Sequence, residues 1–354
     1  MIYVASIVGF SILYGLAYLA LDGRYRKPDV VWYTLIVVIG ISSLIAFRDV
    51  GPAPDDENYV EYGAYAGEYI DQISFSNTVI FILNEPVYSV FNYTIANSFG
   101  EYWYFPVFVF ISFSVLSIAI YRISGRPILS LVVFILFFPI VKNWYIHLRQ
   151  GLAISLFFFG VSMSSRKKYL VMFLSSLIHT SMFVSLGSYL YEYLGRKVGL
   201  NRVARITFFF VVAALFAWLL EDLLKAIGYV TARRDYKDVG RFASPKVYLT
   251  YVVISAGYFL STTDNRGMMT QFLYGLSLYI TMGFSVPYAA RVFENYLPFA
   301  ALSITDATYT KNYYFYAMAV VGIIAILYLL SEHPFIALDF VPFGFSPEDA
   351  RSIR

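Results

Sequence analysis

The chain has 354 residues, of which 59% are hydrophobic and only 14% are charged, and its mean hydropathy is +0.64. Soluble globular proteins carry roughly 25% charged residues, so this composition excludes a water-soluble protein and indicates an integral membrane protein. The absence of cysteine excludes disulfides and thiolate metal sites, and three histidines leave little for a zinc site. The net charge of +3 is too small to indicate nucleic acid as a partner.

Apolar runs recur along the chain and predict its spans. In a bilayer each run must be a helix, because a closed barrel would show alternating polar and apolar residues. At ~20 residues per span plus loops, we predict an all-α, polytopic membrane helix bundle of about 10–12 spans in one domain, residues 1–354. The runs are Ile2–Leu21, Val30–Phe47, Trp103–Tyr121, Ile128–Val141, Leu152–Met163, Tyr169–Leu194, Ile206–Leu224, Val247–Leu260, Met268–Val286, Leu297–Ile304 and Tyr313–Leu330.

Several runs are shorter than ~17 residues, which predicts short, tilted or broken helices inside the bundle. No internal repeat is visible, which disfavours an inverted-repeat transporter. Residues 331–354 form a polar carboxyl-terminal tail.

Basic residues in short loops predict the orientation in the membrane. The loops that we expect in the cytoplasm contain Arg24, Arg26 and Lys27, then Arg122 and Arg126, then Arg166, Lys167 and Lys168. This orientation places the Arg48–Tyr102 segment and the Lys142–Gln150 turn outside. Between Asp49 and Glu101 every charged residue is acidic, as an external loop would be. We therefore predict a large external loop over residues 48–102.

The orientation after this point depends on Tyr169–Leu194, which is long for one span and too short for two. If it crosses once, the Lys225–Lys246 loop is cytoplasmic, as the density of basic residues there slightly favours. If it bends back at His179–Ser181, this loop and Arg291 are external. We lean towards the broken helix, because it brings Arg291 to the face that carries the other candidate residues.

Short motifs along the chain make it similar to a known family. An arginine ends an early span and is followed by glycine, acids and tyrosine; later come ArgGlnGly, IleHis and a further arginine before a late span. The residues are Arg48, Gly51, Asp55, Asp56, Tyr59, Arg149, Gln150, Gly151, Ile178, His179 and Arg291, with Gly160 separated from Arg149 by ten intervening residues. The chain resembles the EpsG-like branch of the Wzy-type bacterial polysaccharide polymerases.

The resemblance implies a metal-independent membrane glycosyltransferase that joins oligosaccharide repeat units carried on undecaprenyl diphosphate. It implies a site that faces the periplasm or cell exterior of a bacterial inner membrane, with the lipid bilayer and an optional chain-length regulator as partners. We expect no cofactor and no metal. Arginine stabilises a diphosphate better than lysine does, because its planar fork donates two parallel hydrogen bonds. The predicted substrate-binding residues are Arg48, Arg149, Gln150, Arg291, Tyr59 and His147.

The predicted catalytic residues are Asp55, Asp56 and His179, one of which takes the proton from a sugar hydroxyl. ProAlaPro precedes the acids, so the sequence does not say which of the two aspartates corresponds to the acid of the family. We favour the carboxylate pair as the base, with His179 as a binder of sugar or phosphate.

Each of these residues also has a structural interpretation. Arg149 could extend to the lipid headgroups, and His179 could be a core histidine bonded to a nearby serine. Arg48 with Asp55 or Asp56 could be a simple ion pair at a helix end. Other functions also remain open: a ligase that passes the glycan to another acceptor, a lipid-linked oligosaccharide flippase or transporter, or a scaffold in which Arg149 and His179 are replaceable.

Overall fold

The computed structural model describes residues 40, 42, 56–71, 81–82, 84–124, 127–136, 143–144, 147–226, 267–282 and 289–307. These residues form helices joined by turns, without a strand among them. The prediction of an all-α membrane helix bundle with short and broken helices is confirmed. The runs Ile2–Leu21, Val247–Leu260 and Tyr313–Leu330 and the tail 331–354 lie outside the described residues, so the number of spans stays a prediction.

The chain divides into two compact units, Met1–Thr180 with Ala319–Arg354, and Ser181–Met318. A single membrane domain can divide in this way, so the one-domain organisation stays a prediction. The described helices of the first unit are α1 (Asp56–Ala64), α2 (Ala66–Asp71), α3 (Pro86–Phe99), α4 (Glu101–Ile123), α5 (Pro127–Leu136), α6 (Leu148–Val161) and α7 (Lys167–Ser176). Those of the second are α8 (Met182–Lys197), α9 (Arg202–Ala226), α10 (Met268–Met282), α11 (Ala289–Glu294) and α12 (Leu297–Ala307).

Within the part of the chain that the structure describes, two helices are long and apolar enough to cross a membrane: Pro106–Ile123 within α4 and Arg202–Leu219 within α9. Only 22% of the α9 segment is buried, against 44% of the α4 segment. The large apolar side chains that α9 exposes include Phe208, Leu215 and Trp218. An exposed apolar surface of this kind is unfavourable in water and favourable against lipid tails, which agrees with a membrane protein.

The segment predicted as an external loop, residues 48–102, contains α1, α2 and α3. The described parts of this segment are therefore mostly helical, and α3 packs against α4 while α1 contacts both α3 and α4. Whether it lies outside the membrane stays a prediction.

In the core of the first unit, α6 packs against α4 and α7. Phe108, Phe113 and Leu116 of α4 are buried there, as are Phe157 and Phe158 of α6. α6 and α7 approach each other closely at Gly160, where the absence of a Cβ leaves room for α7. A Cβ at this position would lie 2.9 Å from Cγ of Met172 and 3.1 Å from the carbonyl oxygen of Lys168.

The long apolar run Tyr169–Leu194 is interrupted, as the broken-helix alternative predicts. α7 ends at Ser176, α8 begins at Met182, and Leu177–Ser181 form a turn between them. Near this end the hydroxyls of Ser175 and Ser176 donate to the carbonyl of Met172, at 2.6 and 3.3 Å. Serine hydroxyls that bond to the backbone in this way compete with helical hydrogen bonds. The break is thus observed, whereas the direction of the chain across the membrane after it stays a prediction.

In the second unit, α10 is the central helix and contacts α8, α9, α11 and α12. A buried carboxylate, Glu192 of α8, joins three of these helices. It accepts hydrogen bonds from Nε of Arg196 at 2.6 Å, from Nε of Arg205 at 3.0 Å and from the hydroxyl of Tyr274. We name Glu192, Arg196, Arg205 and Tyr274 the Glu192 cluster.

Candidate functional site

Arg149, the second residue of α6, is held from several sides. Its Nη1 lies 2.9 Å from Oε2 of Glu85, and the two side chains are 29% and 11% exposed. Its guanidinium lies over the rings of Tyr62 and Tyr88, 5.3 and 5.2 Å from their centroids. Its backbone N–H donates to the hydroxyl of Tyr59 at 3.2 Å, which pairs one of the amides that a helix start leaves without an internal partner. We name these four partners, Glu85, Tyr59, Tyr62 and Tyr88, the Arg149 cup.

The tyrosines of the cup come from two helices. Tyr59 and Tyr62 are three residues apart on α1 and so share one face, while Tyr88 lies in the first turn of α3. The ring of Tyr62 meets that of Tyr88 edge to face, with 5.6 Å between the ring centroids. The backbone carbonyl of Tyr62 accepts a hydrogen bond from Nδ2 of Asn92. Edge-to-face contacts fix the ring planes, so α1 and α3 together set the surface on which the guanidinium rests.

Glu85 precedes Pro86, the first residue of α3, and adopts the left-handed backbone conformation with φ 54° and ψ 57°. While Oε2 binds Arg149, Oε1 accepts from the backbone N–H of Thr180 at 2.9 Å and lies 3.4 Å from the Thr180 hydroxyl. Next to it, the N–H of Val87 donates to the carbonyl of Leu177 at 3.2 Å. One carboxylate therefore connects Arg149 with the turn that contains His179.

The start of α6 is packed closely against the preceding segment. A Cβ at Gly151 would overlap the carbonyl oxygen of Asn143, so this glycine lets the backbone of α6 approach. The indole Nε1 of Trp144 donates to the hydroxyl of Ser155 at 2.9 Å, and this hydroxyl donates to the carbonyl of Gly151 at 2.8 Å. Local packing thus determines where α6 begins and where Arg149 points.

The electrostatics keep Arg149 charged. Burial by itself lowers the pKa of this guanidinium, but the charge of Glu85 and the neighbouring tyrosines raise it, and the balance leaves the pKa above its ordinary value. An arginine is in any case protonated at physiological pH. The cup therefore presents a permanent cation that remains partly exposed.

The structure brings some of the predicted residues together. Tyr59 contacts Arg149 directly, Gln150 follows it as a buried side chain, and His147 immediately precedes α6. His179 lies in the turn that Glu85 binds through the adjacent Thr180. These placements agree with one site.

Other predicted residues are not placed with this group. Arg48 and Asp55 lie outside the described residues, and only the backbone of Asp56, at the start of α1, is described. Arg291 lies on α11 of the second unit. Where the structure describes side chains, no three His, Asp or Glu lie close enough together to hold a metal ion.

Sequence reasoning missed Glu85, Tyr62, Tyr88 and Thr180 as parts of the site. A signal for Glu85 was present, because it is the only charged residue between Asp71 and Glu101. An isolated carboxylate in an apolar stretch needs a partner, since a buried charge is costly unless it is paired. The sequence did not reveal which cation that partner is.

Comparison with known protein families matches residues 4–344 to the EpsG family. No curated protein and no solved structure matches the chain. The match covers nearly the whole length and agrees with the resemblance carried by the arginine, glycine and histidine motifs. The chain belongs to the EpsG family.

Proposed function

We propose that the protein is a polysaccharide polymerase that joins undecaprenyl-diphosphate-linked oligosaccharide repeat units at the outer side of a bacterial inner membrane. Membership of the EpsG family supports a polymerase-like role in polysaccharide synthesis. The observation that carries the proposal is the Arg149 cup, in which an arginine with a partly exposed side chain is held at the start of an apolar helix. In this proposal Arg149 binds the diphosphate of the lipid carrier.

The chemistry of a diphosphate leaving group fits this guanidinium. A sugar hydroxyl of one glycan attacks the anomeric carbon of the other, the bond from that carbon to the diphosphate oxygen breaks, and the diphosphate leaves with its negative charge. A fixed cation stabilises the charge that develops on the leaving oxygen. The backbone N–H groups and dipole at the start of α6 favour an anion at the same place.

The hydroxyl must also lose a proton, and the acceptor in this proposal is Asp55 or Asp56, with His179 as a binder of sugar or phosphate. His179 is the alternative acceptor, since its turn is bonded to Glu85. Histidine titrates near neutrality and a solvated aspartate near pH ~4. A rate that falls as the pH drops through roughly 6 to 7 would identify the histidine as the base and contradict our assignment.

The proposal is tested by Arg149→Lys and Arg149→Ala in liposomes supplied with the lipid-linked repeat unit, with the rate of polymer formation and the polymer length as the readouts. We expect both variants to lose about 100-fold or more of the rate, because lysine keeps the charge but loses the fork. Arg122→Lys is the matched control and should retain activity, since Arg122 lies in the last turn of α4, over the ring of Phe159 near the end of α6 opposite to Arg149. Activity near that of the wild type in Arg149→Lys would refute the proposed role of the fork. Transfer of the glycan to a different acceptor, without longer chains, would indicate a ligase.

A further inference from the structure

We propose that Glu85 is a positioning residue for the polymerase reaction, which holds Arg149 and the turn Leu177–Ser181 in one arrangement so that Arg149 and His179 contact the lipid-linked donor together. This inference rests on the proposed function, in which Arg149 contacts the diphosphate.

The two oxygens of the carboxylate have separate tasks. Oε2 holds Nη1 of Arg149 at 2.9 Å, and Oε1 accepts from the backbone N–H of Thr180 at 2.9 Å. The bond from Val87 N–H to the Leu177 carbonyl ties the same two segments a second time. The amino-terminal end of α3 is thus joined to the start of α6 through an ion pair and to the turn through two hydrogen bonds. A change in the position of the Glu85 side chain must move both.

The guanidinium retains donors for a ligand when Glu85 holds it. Glu85 contacts Nη1, which lies on the side of the guanidinium away from the Nε–H. The ion pair with Glu85 therefore does not involve the edge formed by Nε and Nη2. Nε is buried and has no hydrogen-bond partner among the described residues. A buried donor without a partner is unfavourable, and a phosphate oxygen would satisfy it. Glu85 therefore orients the cation through Nη1 and does not itself occupy the Nε–Nη2 edge, which suits two phosphate oxygens.

The left-handed backbone conformation at residue 85 favours glycine, so the turn alone does not require a glutamate there. With φ 54°, Glu85 is the only non-glycine residue of positive φ in the described part of the chain. Glycine adopts this conformation without steric cost, whereas other L-residues are strained in it. A strained glutamate of low exposure is explained by the contacts of its carboxylate rather than by the geometry of the turn.

This difference gives a direct test with Glu85→Gly and Glu85→Gln in the liposome assay, measured over a range of donor concentrations. Glu85→Gly suits the backbone and removes the carboxylate, so we expect an unchanged or higher unfolding midpoint together with a rate lowered about tenfold or more. Glu85→Gln keeps an acceptor for Thr180 and removes the charge that holds Arg149. We expect it to raise the donor KM more than it lowers kcat. Glu68→Gln, an exposed glutamate of α2, is the control and should behave as the wild type.

Combination with Arg149 separates positioning from an independent role. If Glu85 acts through Arg149, Glu85→Gln adds little to the loss caused by Arg149→Lys, because partners in one network are not additive. Full additivity would overturn the inference, and so would wild-type activity in Glu85→Gly. A lower unfolding midpoint in both Glu85 variants, with KM unchanged in Glu85→Gln, would show a structural role only. Retained activity in Arg149→Lys would instead overturn the proposed function, so the two failures are distinguishable.

Discussion

Glu85 in the first unit and Glu192 in the second are both buried carboxylates that meet arginine, but their partners lie in different kinds of structure. Glu192 lies on α8 and is surrounded by helical residues, namely Arg196 of the same helix, Arg205 of α9 and Tyr274 of α10. Glu85 lies outside any helix, and its partners are the start of α6 and the turn after α7.

The two pairs differ in the exposure of their arginines and in the donors that remain without a partner, and this difference indicates different roles. In the Glu192 cluster both carboxylate oxygens receive donors from helices that pack together, and Arg205 is only 10% exposed on its side chain. The Arg149 cup leaves the Arg149 side chain 29% exposed and its Nε without a hydrogen-bond partner among the described residues. We infer that the first arrangement mainly stabilises the fold of its unit and that the second mainly holds a cation for a ligand.

The largest expected effect concerns Glu192→Ala. Its removal leaves the buried guanidinium of Arg205 without a counter-charge, and loss of one partner of a buried pair costs about 3–5 kcal/mol. We expect a markedly lower unfolding midpoint in detergent and a low yield of folded protein. The exposed Arg196 contributes little to this loss, because exposed pairs are screened by water.

Glu68→Ala serves as the control for the loss of a surface glutamate. An unchanged unfolding midpoint in Glu192→Ala, together with a lower one in Glu85→Gly, would contradict the roles inferred for the two carboxylates, since those roles would then be exchanged.

A second effect is expected at the start of α6, where Gly151→Ala would place a Cβ against the carbonyl of Asn143. Overpacking of this kind costs about 1–3 kcal/mol, and here it would also shift the backbone next to Arg149. We therefore expect both stability and polymer formation to fall, as measured by the unfolding midpoint and the liposome assay.

Gly187→Ala on α8 is the matched control, because a Cβ there has nothing within 4 Å. Alanine is the better helix former by up to ~1 kcal/mol, so this variant should be neutral or slightly stabilised. Equal losses in the two variants would mean that contact with Asn143 does not determine the position of α6.

The smallest effect is expected at Tyr62, whose ring lies 5.3 Å from the Arg149 guanidinium carbon. Tyr62→Leu removes a cation–π contact worth about 0.5–1 kcal/mol, while Tyr62→Phe keeps the ring. We expect the leucine variant to raise the donor KM about two- to fivefold and the phenylalanine variant to stay near the wild type. A loss in Tyr62→Phe as large as in Tyr62→Leu would assign the effect to the hydroxyl instead of the ring.

The sequence by itself determined the membrane class and the helical secondary structure, and it singled out Arg149 as a candidate site residue. These follow from local properties, since apolar runs in a bilayer must be helices and an arginine at the end of such a run is recognisable from its neighbours. The run Trp103–Tyr121, for example, lies within α4, and Ile206–Leu224 lies within α9.

Only the tertiary structure decided what holds Arg149 and whether the long run around His179 breaks. Glu85 was visible as an isolated charge, but its choice of partner depends on α1 and α3 bringing Tyr62, Tyr88 and the carboxylate to the start of α6. Both a straight and a broken helix were compatible with the length of Tyr169–Leu194, and the structure shows the break. Hydrophobic periodicity is a property of neighbouring residues, whereas the pairing of buried charges is set by contacts between distant segments, which periodicity does not encode.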